Sequence, residues 1–123
     1  MILGLGTDIV DCDRIREALE RHGDRFEQRI FTNDERAYCR RMADPTPHFA
    51  ARFAAKEAAR KAMAYGPDLN WQDVEVIRDP NGPVELLFHG VAAEVAEGMG
   101  VARVFLSVSH ERSAAVATVV LEG

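Results

Sequence analysis

Cysteine, positive charge and long apolar runs are all in short supply in this sequence, and each shortage excludes something. Cys12 and Cys39 are the only cysteines. They show no Cys-x-x-Cys spacing and no secretory context, so they read as reduced thiols rather than as a disulfide framework. No apolar run approaches the roughly 20 residues that a membrane span needs. The opening MILGLGTDIV lacks the basic segment of a signal peptide. Both absences lead to the expectation of a cytoplasmic protein with no membrane partner. Lys and Arg number 15 against 20 Asp and Glu, for a net charge of −5. Such a chain is a poor general nucleic-acid binder, because neutralising phosphates needs a basic surface. Nor does it carry a P-loop, a Rossmann fingerprint, a zinc-ligand run or a Ser/His/Asp or Cys/His nucleophile pattern.

What is present suits one globular domain over residues 1–123. Hydrophobic residues make up 47% and charged residues 28% of the 123, enough to build a core at this length. Charge is unevenly placed. Residues 1–13 hold three acids and no base, 14–61 hold 12 Lys or Arg against 8 acids, and 62–123 hold 3 against 9. Ten of the 12 cations in the basic middle are Arg, the residue suited to bidentate contact with carboxylate or phosphate. That segment either attracts an anionic partner or is a solvated helical surface.

The pattern predicts a strand over Ile2 to Val10, then a helix capped by Asp11 or Asp13 and ended by Gly23, with Ile15, Ala18, Leu19 and His22 at helical spacing. Thr32-Asn33-Asp34-Glu35 has capping-box spacing and opens a second short helix. Asp44-Pro45-Thr46-Pro47 interrupts it, and an Ala-rich helix runs from His48 to Tyr65, stopping at Gly66-Pro67. Strands are predicted over Trp71 to Arg78 and Val84 to Phe88, a helix over Gly90 to Met99, and a final antiparallel pair over Arg103–His110 and Ser113–Leu121. The fold class is α+β, an antiparallel sheet packed on one long helix.

Asp8 shares a strand face with Gly4 and Gly6. Bare backbone and empty volume beside an acid could take a metal or a ligand phosphate, or Asp8 could simply bond backbone amides at a strand end. Glu57 lies in a stripe with Phe49, Phe53, Lys61 and Tyr65, near a buried edge where an unpaired charge is costly. A Mg²⁺ ion would relieve that cost, and so would an i, i+4 ion pair with Lys61. Arg14, Arg21 and Arg25 each fall within about 20° of one line along an ideal helix, a face that either reads an acidic partner or is merely solvated. His110 follows Val104, Leu106 and Val108 on one strand face, where a hydrogen-bonded core histidine is expected.

Taken together, Gly4-Leu5-Gly6-Thr7-Asp8-Ile9 and Arg52-Phe53-Ala54-Ala55-Lys56-Glu57-Ala58 closely resemble the holo-[acyl-carrier-protein] synthases, the small bacterial 4′-phosphopantetheinyl transferases. The likeness extends through Arg14-Ile15, Arg25-Phe26, Arg29-Ile30, Phe31-Thr32 to Glu35, Trp71 to Val76 and Val108-Ser109-His110. The resemblance implies transfer of the 4′-phosphopantetheine arm of coenzyme A to a serine of apo acyl carrier protein, with Mg²⁺ held by Asp8 and Glu57. Lys61 would offset charge on the pyrophosphate, and Arg52, Ser109 and His110 match positions near the coenzyme A phosphates. The serine proton would go to a metal-associated water or to Glu57. Arg14, Arg21 and Arg25 would meet the acidic carrier, and the active sites would lie between subunits of a homotrimer. Fatty acid biosynthesis is the implied setting.

The chain departs from the family pattern twice. Ala64-Tyr65-Gly66-Pro67 leads straight to Asp68 where members read Gly-Thr-Gly, and Asn81-Gly82-Pro83 lacks a basic residue. Two other readings use the same residues: a Mg²⁺-dependent coenzyme A or nucleotide pyrophosphatase, and a non-catalytic carrier-protein-binding module.

Overall fold

The structure is a computed structural model that describes residues 1–64 and 69–123. Strand β1 (Ile2–Asp11) turns directly into helix α1 (Cys12–His22). Asp11, rather than Asp13, supplies the cap: its Oδ1 accepts the Asp13 N–H at 2.8 Å. Gly23, at φ 53°, ends α1 with its N–H on Leu19 O and starts a helix that the periodicity did not reveal, α2 (Asp24–Ile30). Seven residues are too few for a helical repeat to show. The Thr32 capping box forms as expected and opens α3 (Asn33–Arg40).

The segment Asp44-Pro45-Thr46-Pro47 begins a helix as well as separating two. Thr46 N–H donates to Asp44 Oδ1 at 3.2 Å, and Pro47 occupies the first turn, where no amide hydrogen is needed. Helix α4 therefore spans Thr46–Ala62, starting ahead of His48. At its far end α4 stops at Ala62, short of the expected Tyr65, because Met63 caps it and Ala64 turns to φ 55°; Tyr65 and the Gly66-Pro67 stop themselves lie outside the described residues. Trp71–Asp73 forms a 3₁₀ turn capped by the Asn70 side chain, so β2 (Val74–Arg78) is shorter than the pattern suggested. β3 (Val84–Phe88), α5 (Gly90–Met99), β4 (Arg103–His110) and β5 (Ala114–Glu122) complete the chain.

The α+β class holds, with the strands divided between two antiparallel sheets, β1-β5-β4 and β2-β3. In the larger sheet Asp8 pairs with Ala117 and His110 with Ala115. Helix α4 lies on the face of β1 and β5, and its alanines, from Ala50 to Ala62, are buried. Small residues on both sides allow a close approach. A Cβ on Gly4 would fall 2.0 Å from Ala62 O, and one on Gly6 would fall 1.9 Å from Ala58 O. The volume beside Asp8 that the sequence left empty is thus filled by the main chain of α4, not left for a ligand. That face of β1 needs glycine because a helix backbone takes the place of its side chains.

The opposite face of the same sheet is apolar and open: Leu5, Ile9, Phe105 and Val116 are all exposed. Deep behind α4, Lys56 and Glu35 form a fully buried ion pair, Nζ to Oε1 2.9 Å. Lys56 Nζ also donates to Trp71 O and Val74 O, and Glu35 accepts the amides of Thr32 and Val76 at 2.8 Å each. Burial pushes the Lys56 pKa down and the Glu35 carboxylate opposes it. Among the described residues no helix is long and apolar enough to cross a membrane.

Candidate active site

Where β1 crosses α4, the next residue past Gly4 and Gly6 at period two is Asp8. Its carboxylate is held by Lys61, whose Nζ donates to Asp8 Oδ1 and to Thr7 O, both at 3.0 Å. Glu57 stands one helical turn before Lys61 on α4, so the two side chains are neighbours along the helix. The ion pair seen at Glu57 is with Arg60, Nη1 to Oε1 3.1 Å. Lys61 thus joins Asp8 of β1 to the helical turn that carries Glu57, and all three residues, 49 and 4 positions apart in sequence, are half-buried.

Among the described residues no group of three or more His, Cys, Asp or Glu gathers as a metal cage. One or two hard carboxylates are nevertheless all that Mg²⁺ needs from a protein, because it keeps several waters and takes its remaining oxygens from a phosphate substrate. The donor set fits such an ion.

A second cluster gathers at the other end of α4. Arg52, 6% exposed, lies with its guanidinium 4.2 Å from the centroid of the Tyr38 ring. One nitrogen reaches His48 O at 3.4 Å, Nε has no hydrogen-bond partner, and no carboxylate pairs with it among the described residues. This charge opens onto a pocket of about 190 Å³ that also meets Tyr38, His48, Arg78 and His110. His110 is not a core histidine. Its strand lies at the edge of the sheet, so the ring is exposed and meets His48, centroids 5.0 Å apart. Burial pushes the His48 pKa down, and the positive charges of His110 and Arg52 push it further the same way. Ser109, one residue earlier, faces the other side of the sheet beside Ile9, Glu111 and Val116. The structure thus brings Arg52 and His110 together, whereas Ser109 borders a different hollow that His110 also lines.

The arginine stripe is split. Arg14 and Arg21 are on α1, but Gly23 breaks the helix and Arg25 belongs to α2. All three are exposed, and none is in an ion pair among the described residues. Arg25 borders a hollow of about 550 Å³ with His22, Arg29, Phe26, Phe53 and Trp71, which combines a basic rim with an aromatic floor. Tyr38, His48, Arg60 and Arg78 were not singled out by sequence. Tyr38, His48 and Arg78 lack motif spacing and only the tertiary fold gathers them, whereas Arg60 stands at i+3 from Glu57, the one signal that could have found it.

The 4′-phosphopantetheinyl transferase superfamily model matches residues 4–119. The chain belongs to that superfamily. A holo-[acyl-carrier-protein] synthase of Koribacter versatilis is 52% identical over 99% of both chains. The crystal structure of holo-[acyl-carrier-protein] synthase from Neisseria meningitidis superposes with a TM-score of 0.88 at 34% identity, covering all of both chains. The Bacillus anthracis enzyme, solved in complex with CoA (3′,5′-ADP), gives a TM-score of 0.80 at 35% identity, over 98% of this chain and 96% of its own. A likeness of this extent covers both side-chain clusters of this superfamily member.

Proposed function

We propose that the chain is a holo-[acyl-carrier-protein] synthase, moving the 4′-phosphopantetheine arm of coenzyme A to a serine of apo acyl carrier protein and releasing adenosine 3′,5′-bisphosphate. The observation that carries this reading is the Asp8–Lys61 pair, one helical turn from Glu57, in a chain of this superfamily. In the reaction the serine oxygen bonds to the diphosphate phosphorus nearer the pantetheine. The bond from that phosphorus to the bridging oxygen breaks, the serine proton leaves to a base, and the nucleotide departs. Such a transfer needs charge neutralisation and in-line placement more than covalent help.

Asp8 and Glu57 would hold Mg²⁺, which when bound supplies positive charge at the diphosphate oxygens. Lys61, fixed on Asp8 and the Thr7 carbonyl, would place a further positive charge beside the leaving oxygens. Arg52, buried with an unsatisfied Nε, is suited to anchor a phosphate of coenzyme A, with His110 beside it and Ser109 on the adjoining strand face. Arg14, Arg21 and Arg25 would receive the acidic carrier.

Arg52 and Glu57 project about 140° apart around an ideal helix, so one chain presents its two clusters in different directions. The open apolar sheet face at Leu5, Ile9, Phe105 and Val116 gives copies of the chain a surface to share. Both features support a homotrimer with sites between neighbouring single-domain subunits. The setting we assign is fatty acid biosynthesis in the cytoplasm.

The test is the intact mass of apo acyl carrier protein after incubation with the chain, coenzyme A and Mg²⁺, with EDTA as control. A gain of about 340 Da, the mass of the transferred arm, only with metal is the expected result. Coenzyme A cleavage with no mass gain would indicate a pyrophosphatase, and neither event a binding module.

A further inference from the structure

Glu57 has a counter-ion that no motif assigns. Arg60 Nη1 lies 3.1 Å from Glu57 Oε1, and its Cζ is 5.2 Å from the centroid of the Trp71 ring. Trp71 in turn stacks on Phe53, centroids 5.1 Å apart. The guanidinium is therefore held by a carboxylate on α4 and by an aromatic face on the turn that precedes β2. Compare the surface pair Arg103–Glu122, where the arginine side chain is 71% exposed against 34% for Arg60. Arg60 is less solvated than an ordinary surface ion-pair partner and is fixed from two sides.

Its position matters because Asp8 is also occupied by a cation, Lys61. A divalent ion that arrives alone must either sit beside two positive charges or drive one away. An ion that arrives with a diphosphate meets a different situation. The phosphate oxygens accept a guanidinium more readily than a single carboxylate oxygen does, which leaves Glu57 open to the metal. We propose that Arg60 is a positioning residue, a resident counter-ion on the Trp71 face that makes divalent-cation binding to this site conditional on an anionic diphosphate substrate. The proposal rests on the reading of Asp8 and Glu57 as metal ligands. It extends that reading by assigning the order and coupling of ligand binding to a named side chain. Metal and substrate then bind with positive linkage, each raising the affinity for the other by the same factor.

The experiment uses the full chain and Mn²⁺ as probe. Free Mn²⁺ is followed by electron paramagnetic resonance with and without coenzyme A, and a protein-free control corrects for Mn²⁺ bound by coenzyme A itself. No carrier is added, so no turnover occurs. Removing a partly screened ion pair should tighten binding of the bare ion about three- to fivefold in Arg60→Gln. The factor by which coenzyme A improves Mn²⁺ binding should shrink by the same amount. Arg60→Lys, which keeps the charge but loses the planar contact with Trp71, should fall between the parent and Arg60→Gln on both measures. The proposal is overturned if Arg60→Gln binds bare Mn²⁺ no more tightly than the parent, or if the coenzyme A factor is unchanged. A Glu57→Gln arm separates the two levels. If Glu57→Gln loses Mn²⁺ while Arg60→Gln behaves as the parent, only the role of Arg60 falls. If Glu57→Gln binds Mn²⁺ like the parent, the metal-ligand reading falls and the proposal with it.

Discussion

Replacing Gly6 with alanine should damage both the stability of this chain and its activity, because the helix that carries Glu57 and Lys61 rests on that glycine. The added methyl carbon would lie 1.9 Å from Ala58 O, 2.8 Å from Ala62 N and 2.9 Å from Ala58 C. All three are backbone atoms, so no side chain can rotate aside. Ordinary contact begins at about 3.4 Å, so strand and helix must separate by about 1.5 Å or tilt. Overpacking of this kind costs about 1–3 kcal/mol, and the backbone on both sides places Gly6→Ala at about 3 kcal/mol. For a chain of this length that is a fall in Tm of about 10 °C. Asp8 is two residues farther along the same strand and is joined to α4 by Lys61. A displacement of about 1 Å there should lower kcat about 100-fold. Gly98→Ala is the control, since a Cβ at Gly98 meets nothing within 4 Å and the residue lies in α5. There the same substitution should stabilise by about 0.5–1 kcal/mol. Urea unfolding of both variants, with kcat in the carrier assay, gives the comparison. If Gly6→Ala lost less than about 0.5 kcal/mol, the β1–α4 contact would not constrain the site as described.

Other outcomes follow from the same contacts. Glu35→Gln strands the Lys56 ammonium without its carboxylate and should cost about 3–5 kcal/mol in urea unfolding, with Glu35→Gln/Lys56→Met costing less than the sum of the single variants. Cys39 is fully buried and burial pushes its pKa up from 9.0 to about 12, so a thiol reagent at pH 8 should label it only after unfolding. Because the folded state holds that proton more tightly, its stabilising contribution is complete below about pH 9 and is lost as pH rises toward 12; a pH series of urea midpoints reads this directly. Arg14→Glu with Arg25→Glu should raise the KM for the carrier at least tenfold at low salt while leaving the KM for coenzyme A within twofold. An unchanged carrier KM would remove α1 and α2 from the docking face.

The sequence was most informative where one local rule acts alone. The Thr32 capping box, the Ala-rich α4 and the final pair of strands all follow from caps, breakers and periodicity within a few residues. Asp8 stood out as a carboxylate on a face with two glycines, and Glu57 as one in line with two phenylalanines. The sequence was least informative about α2, which is shorter than two helical repeats, and about the start of β2, where the Asn70 side chain diverts three residues into a 3₁₀ turn.

Which face of each element meets which neighbour was decided by the tertiary structure. Period two grouped Gly4, Gly6 and Asp8 but did not say that a helix backbone would fill the glycine side of β1. Helical spacing offered Lys61 as partner to Glu57, whereas the fold brings Lys61 to Asp8 and puts Arg60 on Glu57 and Trp71. Apolar alternation along β4 put His110 inside, yet β4 is an edge strand and the ring stands exposed beside His48 and the buried Arg52. The reason is common to all three. Periodicity is set by backbone geometry within one element, whereas Asp8–Lys61, Gly6–Ala58 and His48–His110 join residues tens of positions apart, and even the choice of Arg60 over Lys61 at Glu57 follows from where Asp8 and Trp71 lie. The chain determines its chemistry-bearing residues locally, and packing α4 on β1 and β5 makes them into two sites.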